Sequence, residues 1–102
     1  MIRHIVMWTL KEEAEGATAR ENAIKLKKML EALNGRIEGL RSLSVSYDIL
    51  AADPECHLVL CSDHDDIDTL DLYQGHPEHQ QCVAFVKKVA AGRKVLDCVF
   101  EG

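Results

Sequence analysis

At 102 residues and 47% hydrophobic composition, the chain has the length and apolar content of one globular domain with a true core. A formal net charge of −5 without any basic run speaks against nucleic acid and against anionic membrane surfaces as partners. No apolar stretch is long enough to span a bilayer and the N-terminus carries no signal-peptide pattern, so a cytoplasmic location is expected, with reduced thiols at Cys56, Cys61, Cys82 and Cys98.

Residues Ile2 to Leu10 alternate as a strand. Ile2, His4, Val6, Trp8 and Leu10 share one face, and Arg3, Ile5, Met7 and Thr9 the other. Large apolar groups on both faces place this strand between two packed layers. Lys11 to Ala17, with Gly16, is expected to be a polar loop. Thr18 and Glu21 then fit a capping box, followed by Ala19, Ala23, Leu26, Leu30, Leu33 and Ile37 in steps of four and three. Asn34-Gly35 supplies the stop.

Leu43, Val45, Tyr47 and Ile49 alternate with polar residues as a second strand, and His57 to Ser62 forms a third. The short link 51–55 makes the two an antiparallel hairpin. Asp63-His64-Asp65-Asp66 is expected to be an acidic bend, with His57 and His64 at the surface or rim. Its aspartates can cap a short helix from Ile67 to Tyr73.

The stretch from Asp71 to His79 concentrates the chemistry. A residue before proline is pushed toward extended geometry, so His76 ends a loop, and Pro77 fits the first position of a helix. From His79, the apolar residues Cys82, Val83, Val86, Val89 and Ala90 fall on one helical face, so His79 points inward. This helix is expected to reach Ala91 and stop at Gly92, and Val95 to Phe100 closes the chain as a fourth strand. The order strand, helix, strand, strand, helix, strand is a pair of split βαβ units, giving an α+β fold with an antiparallel sheet and helices on one face. The other face then needs a cover, and a homodimer provides it.

Ile2-Arg3-His4-Ile5-Val6-Met7-Trp8, Ile37-Glu38-Gly39-Leu40, Val95-Leu96-Asp97 and above all Leu70 to His79, with its Tyr-x-x-His-Pro-x-His pattern, resemble the stress-responsive A/B barrel (Dabb) domain. The resemblance covers almost the whole chain and implies a single domain over residues 1–102, with a ferredoxin-like fold that dimerises into an α+β barrel. An enzyme of that family closes a linear polyketide by aldol condensation without a cofactor. A tyrosine and a histidine matching Tyr73 and His79 are its catalytic pair, and a histidine matching His4 lines its pocket. The chain departs from the family pattern at His64, where an aromatic residue is usual.

On these grounds His79 and Tyr73 are the candidate catalytic residues, as general base and as hydrogen-bond donor to a carbonyl, with no cofactor. His4, Trp8, Val6 and His76 are the candidate substrate-binding residues, and the ligand is a small, largely apolar carbonyl compound. Two alternatives stay open: a stress-associated protein that binds a small ligand without turnover, and a monooxygenase of the dimeric α+β barrel type. His76 and His79 with Asp63, Asp65, Asp66 and Asp68 also raise metal binding, but the aspartates suit capping roles and no metal is assigned.

Overall fold

Residues 1–101 are described by a computed structural model, in which strand β1 (Ile2–Leu10) runs through the middle of an antiparallel sheet. The strand order is β4 (Leu40–Ser46), β5 (Leu58–His64), β1, β6 (Ala90–Val99). Helices α1 (Ala19–Glu31), α2 (Ile67–Gly75) and α3 (Pro77–Val89) cover one face. The expected α+β order and antiparallel pairing are observed. Among the described residues, no helix is long and apolar enough to cross a membrane.

The two faces of β1 separate as its alternation dictates. Ile2, His4, Val6, Trp8 and Leu10 are all buried beneath the helices. Beside them lie Leu43, Val45, Leu58 and Leu60 from the neighbouring strands and Leu26 and Leu30 from α1, and each fully buried leucine contributes about 1.5–3 kcal/mol. On the opposite face Ile5 pairs with Cys61 and Leu96, and Met7 with Val59 and Lys94. Among the described residues no helix lies over this face, and Met7 and Leu96 are 37% and 53% exposed. Chain ends meet at the sheet margin, where the Phe100 amide donates to the Met1 carbonyl at 2.9 Å.

Several boundaries differ from the sequence expectation, most of them because of a contact with another segment. The polar loop before α1 is a small hairpin of β2 (Glu13–Ala14) and β3 (Ala17–Thr18), turned by Glu15 and Gly16 at φ 54° and 73°. The Thr18–Glu21 capping box forms as expected. Helix α1 nevertheless ends before Asn34, because the Asn34 amide is engaged by the sheet. Its Nδ2 donates to the Leu43 carbonyl at 2.8 Å, and its Oδ1 accepts from the Leu43 amide at 2.9 Å. Strand β4 begins at Leu40 and stops before Tyr47, whose ring instead receives the Arg20 guanidinium at 5.2 Å.

Strand β5 runs on through Asp63 and His64, so the acidic bend is shorter than expected. Asp63 pairs with Arg3 and Asp65 with Arg41, while Asp66 caps α2 by accepting from the Thr69 amide. Helix α3 ends at Val89 rather than at Gly92. Gly92 lies inside β6 opposite Thr9, where a Cβ would sit 2.9 Å from the Thr9 hydroxyl, so close strand approach is its role.

Gly39 turns the chain into β4 at φ 82°, and a Cβ there would meet the Thr69 side chain at 2.4 Å. Gly39→Ala therefore combines left-handed strain with a clash against the α2 cap. It is expected to cost about 2–4 kcal/mol in urea denaturation, whereas Gly35→Ala, with open space around it, should cost less.

Candidate functional site

A cavity of about 340 Å³ lies between the helix-covered face of the sheet and the α2–α3 elbow. That size falls at the lower end of ligand pockets, roughly 300–1,000 Å³. The sheet contributes His4, Val6 and Trp8 to its wall, and the helices contribute Tyr73 and His79. Five of the six residues proposed from sequence are thus brought together. The sixth, His76, is not among the lining residues: its Nδ1 accepts from the Glu78 amide at 3.1 Å and caps α3.

The elbow exists because Pro77 starts α3 and holds His76 extended, at φ −65° and ψ 135°. Two turns of helix on either side then face one another, and the Tyr73 and His79 rings stand 4.3 Å apart between centroids. His79 Nδ1 lies 3.1 Å from the Gln74 carbonyl oxygen. A carbonyl only accepts, so Nδ1 carries the proton and the neutral ring keeps its lone pair on Nε2. Burial pushes the His79 pKa below the ordinary histidine value. The Gln74 carbonyl opposes this, while the charges of His4 and Arg93 reinforce it. The ring is accordingly a neutral base near pH 7.

Tyr73 is wholly buried and its hydroxyl has no hydrogen-bond partner. Burial raises its pKa well above the ordinary phenol range, so it serves as a proton donor in hydrogen bonds and not as a phenolate. Trp8 Nε1 is likewise buried without a partner. His4 is engaged through Nδ1 by the Asp97 carboxylate, its ladder partner on β6, which fixes the ring at the back of the site.

His64, expected at the surface, is fully buried. It continues the inward alternation of Leu58, Leu60 and Ser62, and its ring lies 4.8 Å from that of Tyr73, tilted by 58°. Its Nε2 meets the Ser62 hydroxyl at 2.8 Å, and its Nδ1 is unpartnered. The alternation itself held the signal, masked by the aspartates on either side. Asp97 went unrecognised because only the β1–β6 register brings it to His4. His57, near a shallower groove of about 260 Å³, is committed elsewhere: Nδ1 accepts from the Leu10 amide and Nε2 meets Glu55.

The family described as the stress responsive A/B barrel domain has a model that matches residues 2–100. Among solved structures, a dimeric protein of unknown function and ferredoxin-like fold from Bacteroides fragilis is 24% identical; the match covers 97% of this chain and 95% of that one, with a TM-score of 0.79. A Dabb family protein with a ferredoxin-like fold from Mesorhizobium loti is 25% identical over 99% and 97% of the two chains, with a TM-score of 0.70. Hydroxynitrile lyase from Passiflora edulis is 13% identical over 98% and 93%, with a TM-score of 0.77, a likeness of fold alone. No curated protein matches the chain. The ferredoxin-like α+β class expected from sequence is established by these findings.

Burial and the neighbouring His4 charge lower the His64 pKa to about 4, against about 6.5 for a free histidine. The unfolded chain therefore binds a proton that the folded chain refuses. His64 favours the fold fully above pH about 6.5, and this contribution is lost as pH falls toward 4. The loss is roughly 3 kcal/mol. Urea denaturation between pH 7.5 and 4 should show this decline, and His64→Phe should flatten it by a comparable amount.

Proposed function

The chain belongs to the stress responsive A/B barrel domain family, and we propose that it is a cofactor-free acid–base enzyme acting on a small carbonyl compound. The observation that carries this reading is the Tyr73–His79 pair in the cavity wall, one ring a neutral base and the other a buried donor without a partner. His79 Nε2 takes a proton from the carbon next to the carbonyl, becoming imidazolium. Tyr73 donates a hydrogen bond to the carbonyl oxygen as enolate charge gathers there. Return of the proton to a different carbon completes an isomerisation; attack of the enolate on a second carbonyl, with the imidazolium proton passing to the oxygen of that carbonyl, completes a cyclisation. His4, held by Asp97, and Trp8 form the wall against which the substrate lies. A hydroxynitrile lyase on the same fold is consistent with enzymatic use of it.

We also propose that the protein is a homodimer whose two open sheet faces pack together. Support comes from the apolar Ile5, Met7, Val59 and Leu96 on that face and from the dimeric Bacteroides fragilis relative. Sedimentation should give 22.8 kDa, twice 11.4 kDa, and Met7→Glu with Leu96→Glu should halve it.

The activity is tested without knowing the product, by NMR-detected deuterium exchange at the α-carbons of enolisable ketones and 3-oxo acids in D₂O. Catalysed exchange of at least one compound is expected, lowered about 10²–10⁴-fold in His79→Gln and Tyr73→Phe. The acid limb of its pH profile should lie below the ordinary histidine value. Tyr73→Phe should also leave the protein about 1–3 kcal/mol more stable, since it removes a buried hydroxyl that has no partner. Ligand binding without exchange in any compound would instead support the binding-protein reading.

A further inference from the structure

The cavity is electrostatically unlike the molecule that contains it. The chain carries a formal net charge of −5. Yet the charged residues lining the cavity are Lys87 and Arg93, and no aspartate or glutamate is among the described residues that line it. Neither cation is paired with a carboxylate among the described residues. Asp97, four residues beyond Arg93 on the same face of β6, is engaged by His4.

Both cations are exposed, while Tyr73 is buried and His79 half-buried in the cavity wall. Arg93 is the ladder partner of Trp8, so the sheet holds it at the cavity edge. Lys87 lies eight residues after His79 on α3, on the same helical stripe and about 12 Å along the axis. Between them runs an apolar lining that includes Val6, Leu60, Val83 and Val86. The floor adds a second demand, because Trp8 Nε1 and the Tyr73 hydroxyl are buried donors with nothing to bind.

Resting on the reading of this cavity as the ligand site, we propose that its ligand is an anion: a carboxylate with an apolar body, its charged end at Arg93 and Lys87 and its body directed toward Tyr73 and His79. Apolar burial supplies most of the affinity, and the two cations set orientation and select the acid over neutral compounds of the same shape.

The test compares octanoate with octanamide, which match in size and differ in charge, by ¹⁵N–¹H chemical-shift titration at about 20 mM salt. Octanoate is expected to bind about three- to tenfold more tightly, the range that two exposed ion pairs support. Shifts should map to Trp8, Tyr73, His79 and Arg93. The ratio should collapse toward one in the double variant Lys87→Gln, Arg93→Gln, and shrink at about 0.5 M salt through screening. Both substitutions are at exposed positions, so thermal melting should show an intact fold. Equal or tighter binding of octanamide, or a preference that survives in the double variant, overturns the proposal. Shifts at Tyr73 and His79 with both probes at equal affinity would remove the anion selectivity and leave the catalytic site standing. No shifts in the cavity with either probe would overturn both.

Discussion

Strand β1 is hydrogen-bonded along nearly its whole length on both sides, to β5 and to β6. That double ladder fixes which face each residue presents, because a slip of one residue would send every side chain to the opposite side. With the register set, His4, Val6 and Trp8 become the cavity floor, and Ile5 and Met7 the open face. Pairing with β6 also brings Asp97 to His4 and Arg93 to Trp8. The site is thus a by-product of sheet pairing, completed by one helix elbow.

Alternation and capping were legible in the sequence because they are local. The Thr18–Glu21 box, the inward side of β1 and the break at His76-Pro77 all depend on residues within a few positions of one another. What stayed hidden depends on partners far along the chain. His64 looked like part of a polar bend, since its flanking aspartates are ordinarily solvated, yet Asp63 is neutralised by Arg3 from β1 and the strand continues. Gly92 looked like a helix stop, but the β1–β6 ladder continues through it, opposite Thr9, before its register shifts at Leu10. His76 looked like a pocket residue for its neighbours, although its own ring turns back to cap α3. The cavity cations belong to the same class, since Lys87 and Arg93 lie on different elements and converge only in three dimensions.

Among the described residues, three buried side-chain polar atoms lack partners, on Trp8, His64 and Tyr73, and the His64 and Tyr73 rings are neighbours at 4.8 Å. Each such group costs about 1–3 kcal/mol relative to a satisfied one. A sequence selected for stability alone would hold phenylalanine in these places. Trp8 and Tyr73 line the cavity, so at these two positions the cost falls where a ligand would lie, in keeping with the general opposition between stability and activity at working sites.

At the elbow, two side chains of α3, His79 and Gln80, both reach back to the carbonyl of Gln74, while the His76 amide donates to Tyr73. The last turn of α2 and the first turn of α3 are therefore fastened as one piece. The spacing between the Tyr73 and His79 rings is then set by the elbow and not by the cavity walls.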